Sequence, residues 1–419
     1  MNPHQGKTVA LIDCKWDGHH PMYFSQFTAS FLRDGARVIG LCPDPDAAFA
    51  ALTQSVDEQT ISRLGDIVHF AKIPVGKRSF FNGRYEGDPV RTFQRWRDAG
   101  KTLANSEAVT GWQTDLVFFP YLDSYMRFLP FPVVPEITLH RPWSGLYLRN
   151  HHHAEKPSLL KSLRIFAKGD AILKNTQCKS VGVLDERHIQ ALEKLSGKII
   201  TAYPDVTQGG LPAQPIPLVL EIQRKAAGRK IIGIIGLEHR KGFLTFIRAA
   251  KLAQQQNLPY YFVAAGAIHH SDYTITEWAE ISAASKGIES GQIDNLHFHA
   301  ASGRIPNERD YNSLFTSFDI AWAAYEGFQG SSGTLSKAAL FEIPCIATVG
   351  ECIGQRVEKY RIGITIPEAA TEKIIAAIPF LIAKTDSNHQ SLNPDFAGYR
   401  NDHSQARLDQ ILSKLLASV

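Results

Sequence analysis

Residues 319–334 read DIAWAAYEGFQGSSGT. After its opening aspartate, Asp319–Tyr325 is apolar on both faces, the pattern of a strand buried inside a parallel sheet. Tyr325–Thr334 follows as a loop with three glycines, and its serines can cap a helix beginning near Ser331. Strand, glycine-rich loop and helix in that order form the repeating unit of a doubly wound α/β sheet.

The alternation continues outward from this unit. Downstream, Pro344–Thr348 and Gly363–Ile366 read as strands and Asp402–Ala417 as a closing helix. Upstream, Lys230–Gly236, Tyr260–Ala265 and Leu296–His299 read as strands, with helices at Phe243–Leu252 and Asn307–Phe318. Asp205–Pro217 (DVTQGGLPAQPIP) has two glycines, three prolines and no apolar period, so it punctuates rather than packs. Before it the same pattern runs through Val9–Cys14, Arg37–Cys42, Asp66–Ile73, Asp115–Tyr121, Ser144–Leu148, Asp170–Leu173, Ser180–Leu184 and Lys198–Tyr203, with a helix at Met22–Leu32 ended by Gly35. The reading is an α/β chain of two Rossmann-like, doubly wound parallel-sheet domains facing across a cleft. Residues 1–206 form the first domain, 207–217 a linker, 218–395 the second domain, and 396–419 a segment returning towards the first.

Length agrees, because 419 residues exceed one ordinary core. With 44% hydrophobic and 21% charged residues the composition is that of a soluble globular protein. No apolar run approaches the roughly 20 residues of a membrane span. The polar start Met1–Lys7 before Val9–Ile12 lacks the order of a secretory signal, so a cytoplasmic location is expected. The five cysteines are scattered without CxxC spacing, which favours buried free thiols over disulfides or zinc. His151–His153 alternate faces with no carboxylate cluster beside them, and no metal site is expected.

The net charge of +4 is too small to imply nucleic-acid binding. Lys77–Lys101 nevertheless holds seven basic and three acidic residues, with Phe80, Phe81, Tyr85, Phe93 and Trp96 among them. It reads either as a surface for an anionic acceptor or the inner face of a membrane, or as a solvated helix with a core-facing aromatic stripe.

Ligands of such sheets bind beyond the carboxyl ends of the strands, which selects four loops. In Tyr325–Thr334 the glycines permit close backbone approach, and the first-turn amides with the helix dipole favour a phosphate. Gly236–Gly242 (GLEHRKG) places Arg240 and Lys241 at a strand end, where two cations can stabilise a departing diphosphate. Lys15–Pro21 (KWDGHHP) offers Gly18 for a tight turn, with His19 and His20 as hydrogen-bond donors or a general base. Val349–Gly354 (VGECIG) reads more simply as a strand-to-helix turn. There is no Walker A sequence and no complete GxGxxG, which argues against a P-loop kinase or a simple dehydrogenase.

Taken in this order, the residues resemble glycosyltransferase family 4, with its two-Rossmann-domain (GT-B) architecture. Lys241-Gly242 matches the family's Lys-Gly, and Arg240 stands in for the arginine whose usual place holds Leu237. Glu326-Gly327-Phe328 resembles the family's Glu-Gly-Phe three residues early. Gln329 and Lys337 occupy the in-register positions of its two glutamates, counted back from Pro344. Gly18 matches the acceptor-side glycine, and Phe396 with Tyr399-Arg400 resembles the segment that crosses back. The resemblance implies transfer of a sugar from a nucleotide-diphosphate donor to a carbohydrate or lipid-linked acceptor, as in polysaccharide biosynthesis, with retained anomeric configuration and neither metal nor further cofactor. Lys241, Arg240 and His20 would be catalytic. Gly236, Glu326, Gly330, Ser331, Ser332, Gly333, Thr334 and Lys337 would bind the donor, and Gly18 and His19 would face the acceptor. The missing acidic pair keeps open a catalytically silent protein that binds a sugar nucleotide or carbohydrate as an interaction subunit. A sugar-nucleotide epimerase ranks last.

Overall fold

The computed structural model describes residues 4–74, 89–126, 129, 131–150, 163, 169–300, 307–382 and 393–419. The chain divides into two units, Met1–Pro204 with Gln405–Val419, and Asp205–Ser404. Each is built on one parallel sheet wrapped in helices.

The first sheet has seven strands: β1 (Thr8–Ile12), β2 (Arg37–Cys42), β3 (Val68–Lys72), β4 (Leu116–Phe119), β5 (Trp143–Tyr147), β6 (Cys178–Val183) and β7 (Ile199–Ala202). Their order is β3-β2-β1-β4-β5-β6-β7, and every pairing is parallel. The order turns back between β1 and β4, both fully buried, as apolar residues on both faces require. Helix His20–Arg33 covers this point, with Pro21 in its first turn and Phe24, Phe27 and Phe31 inward. Phe27 and Phe31 pack on Phe118 with ring centroids 4.8 and 5.4 Å apart.

The second sheet has six strands: β8 (Lys230–Ile235), β9 (Tyr260–Gly266), β10 (Leu296–Ala300), β11 (Ile320–Ala323), β12 (Cys345–Thr348) and β13 (Gly363–Ile366). The order β10-β9-β8-β11-β12-β13 turns back between β8 and β11, again all parallel. Helix Phe243–Gln255 lays Phe243, Phe246 and Ile247 against one face, and Phe246 meets Trp322 edge to face at 5.0 Å.

Several elements differ from the sequence expectation. Asp170–Leu173 is not a strand. It begins a 3-10 turn, Asp170–Lys174, after Gly169 in the left-handed region, and Tyr147 Oη donates to Asp170 Oδ1 at 2.8 Å. Asp66 and Ile67 belong to a short helix, so β3 starts only at Val68. Helix Phe396–Asp402 stays with the second unit, and the return to the first begins at Gln405. The carbonyls of Gln208 and Gly210 accept from Asn312 Nδ2 at 3.1 and 2.8 Å, which ties part of the proline-rich stretch to the second unit.

Of the basic stretch, residues 77–88 lie outside the described residues, as do His151–His153. The remainder lies in helix Pro89–Thr110, whose Trp96 is buried while Arg97 and Lys101 are exposed. Among the described residues no helix is long and apolar enough to cross a membrane. All five cysteines are buried, and none is joined in a disulfide.

Candidate functional site

In the second unit the switch point brings two loops together, because β8 and β11 are neighbours. Gly236 leaves β8 at φ +87°, and its N–H donates to Ala265 O at 2.8 Å. His239–Lys241 form a single 3-10 turn closed by Gly242 at φ +74°. A Cβ on Gly242 would stand 2.4 Å from Ala324 O, so only glycine lets this turn lie against the end of β11. Two hydrogen bonds stitch the loops: Trp322 Nε1 donates to Lys241 O, and Glu326 N to Arg240 O, each at 2.9 Å.

Lys241 Nζ donates to Ile235 O at 2.8 Å and stands 5.9 Å from the Tyr325 ring centroid. Arg240 is more exposed, its guanidinium 5.4 Å over the Phe328 ring. Tyr325 continues the line. Ser332 Oγ donates to its hydroxyl at 2.9 Å, and Thr334 Oγ1 lies 2.9 Å from the same oxygen. Ser332 caps helix Gly333–Leu340 by accepting Thr334 N at 3.2 Å. Gly333 is exposed with open space where a Cβ would be, while Ser331 and Gly330 are half-buried. Lys241, Arg240, Gly236, Ser331, Ser332, Gly333 and Thr334 therefore belong to one neighbourhood, where two cations lie near a capped helix start.

Two of the expected donor residues are engaged elsewhere. Glu326 accepts from Thr245 Oγ1 at 2.5 Å, so its carboxylate pins the loop to helix Phe243–Gln255. Lys337 is the clearer correction. Its side chain is buried, and the ammonium donates to Gln208 O, to Glu308 and, at 2.6 Å, to Asn312 Oδ1. An ammonium has three hydrogens, and all three are spent inside the unit. Burial also pulls its pKa below the ordinary lysine value.

His239 borders the turn on its other side and contacts Glu277 Oε1 at 3.0 Å. Glu277 closes the capping box of helix Ile275–Glu289. Hydrogen bonds from Thr274 backbone and side chain, then from His239, hold its carboxyl down at about 2.

In the first unit His20 starts its helix beside the end of β1. Its Nδ1 lies 2.9 and 2.8 Å from the two oxygens of Asp13, a carboxylate with no exposure. An ionised carboxylate only accepts, so this contact places the proton on Nδ1 and leaves Nε2 as the basic atom. The imidazole stacks on Tyr121 with ring centroids 4.1 Å apart. Burial keeps the Asp13 carboxyl above its ordinary value even against the pull of His20. Gly18 turns the loop at φ +63°, and Gly18 and His19 are exposed.

Sequence reasoning passed over Asp13, Tyr121, Tyr325 and Thr245 as site residues. Asp13 left a trace, as the one polar residue of its apolar run. The others depend on which strands are neighbours.

No family model and no curated protein matches the chain. Solved structures match it over nearly its whole length. HepE of Anabaena in complex with UDP and glucose is 13% identical with a TM-score of 0.60, over 99% of this chain and 100% of that one. The sucrose-phosphate synthase of Thermosynechococcus elongatus is 14% identical with a TM-score of 0.63, over 99% and 100%. The α,α-trehalose 6-phosphate synthase of Burkholderia multivorans is 12% identical with a TM-score of 0.60, over 99% and 98%. At such identities the likeness is one of fold: the chain has the two parallel-sheet α/β domains of the GT-B architecture.

Proposed function

We propose that the protein is a glycosyltransferase that moves a sugar from a nucleotide-diphosphate donor to a carbohydrate or lipid-linked acceptor. The observation that carries this reading is the convergence of Lys241, Arg240 and the Ser332-capped helix start at the switch point of the second sheet. HepE, which shares the fold, binds UDP and glucose in its crystal structure. Developing charge on the departing diphosphate would be met by fixed cations and amides, which act without reorganising and supply what a metal ion otherwise would. Family 4 resemblance extends the proposal to retention of anomeric configuration. The acceptor hydroxyl would meet His20 Nε2, with Asp13 holding the ring in orientation.

One observation favours the silent alternative: where the resemblance expects an acid, Lys337 stands buried and fully engaged. The test is a thermal-shift panel of nucleoside diphosphates and nucleotide sugars, followed by a donor-cleavage assay on each ligand that stabilises the fold. The enzyme reading expects stabilisation together with release of nucleoside diphosphate. Stabilisation without release, across donors and acceptors, would leave the binding subunit.

A further inference from the structure

Glu238 lies between the two cations of the donor turn. Its Oε2 is 3.7 Å from Lys241 Nζ, and its Oε1 is 3.9 Å from Arg240 Nη2. Neither separation is a hydrogen bond. Ordinary ion pairs of the same unit close further, Arg248 with Glu280 to 2.8 Å and Lys225 with Glu221 to 2.8 Å. Glu238 Oε2 is buried and accepts no hydrogen bond. Lys241 spends its hydrogen bond on Ile235 O instead. Both charged heads gather over Gly236, where a Cβ would stand 2.4 Å from Lys241 Nζ and 2.8 Å from Glu238 Oε2. The backbone is bare at that spot, and a residue other than glycine would fill it.

We infer that Glu238 is the resident counter-ion of this anion site, and that a diphosphate binds by displacing its carboxylate from between Arg240 and Lys241. The inference rests on the donor reading above and adds how affinity is set. A carboxylate held near two cations but bonded to neither neutralises them at small geometric cost, so it can yield. A ligand carrying more negative charge than one carboxylate gains more from the pair and takes its place. After transfer, return of the carboxylate competes with the bound nucleoside diphosphate and speeds its departure. Glu238 is thus an affinity-setting residue that never touches the reacting carbon.

The sign of the expected effect separates this role from a structural one. Calorimetric titration of the full chain with UDP and with inorganic pyrophosphate, at fixed ionic strength, compares wild type with Glu238→Gln. The amide keeps the shape and removes the charge, and both ligands are expected to bind about five- to tenfold tighter. Glu238→Ala, expected to shift the same way, carries the test should the glutamine variant fold poorly. Unchanged or weaker binding by the glutamine variant, while Lys241→Ala still loses UDP, overturns the role of Glu238 and leaves the donor site standing. Wild type and Lys241→Ala binding UDP equally, or not at all, removes the donor reading and the counter-ion with it.

Discussion

The Lys241 ammonium and the Ser332 hydroxyl approach the same side chain, Tyr325. The ammonium stands 5.9 Å from its ring centroid, and the hydroxyl donates to its phenolic oxygen at 2.9 Å. A cation from one strand end and a helix cap from its neighbour are thereby held at fixed spacing by one rigid ring. A diphosphate spanning them would meet donors already in place.

Lys241→Ala is expected to lower sugar transfer by about two to three orders of magnitude, the scale for losing one charge contact to a transition state. Initial rates with the donor selected by thermal shift check this. Near-normal transfer would remove Lys241 from the mechanism. Tyr325→Phe keeps the ring and deletes the oxygen that Ser332 and Thr334 share, so affinity for the nucleoside diphosphate should fall about three- to tenfold.

Asp13→Asn tests the orientation of His20. Asparagine can hold the imidazole only through a different pattern of donors, so turnover should drop at least tenfold and the pH–rate profile should change shape. A merely structural Asp13 would lower the melting temperature and leave the profile of the surviving enzyme unaltered.

Lys337→Met separates packing from donor binding. It leaves Asn312 Oδ1 without its buried donor and takes from Gln208 O one of its two, and denaturant unfolding should show a loss of about 2–4 kcal/mol. UDP affinity of the folded variant should remain within twofold. A much larger loss of affinity would return Lys337 to the donor site.

Glu277→Gln makes a prediction with a definite pH sign. The folded carboxyl sits near 2 against an ordinary value of 4.5, so the ionised form is the one that stabilises. The variant should melt a few degrees below wild type at neutral pH. The gap should narrow as pH falls from about 4.5 towards 2, where wild-type Glu277 becomes protonated. A gap independent of pH would mean that the charge contributes nothing.

Most of the scaffold is legible in the chain because strands buried on both faces leave unbroken apolar runs. Arg37–Cys42 and Gly363–Ile366 have the expected bounds in the structure. The run Asp170–Leu173 misled, since four residues cannot show a period and Gly169 bends the chain into a turn just before it. Lys241, Ser332 and His20 could be singled out by position at strand ends. Their partners could not. Thr245 reaches Glu326 across eighty-one residues, and Tyr325 joins two loops only because β8 lies beside β11. Lys337 shows the opposite error, in which a correct register said nothing of where the side chain turns.

The last helix carries a consequence for how the molecule is made. Gln405–Ala417 packs on helix His20–Arg33, burying Leu408, Leu412, Leu415 and Leu416, and Lys7 Nζ donates to Leu416 O and Val419 O at 2.8 and 2.9 Å. The ribosome supplies these residues only after the whole second unit has been translated. During synthesis the first sheet therefore waits with a greasy flank uncovered, so its completion must follow translation of the second unit however early its strands pair.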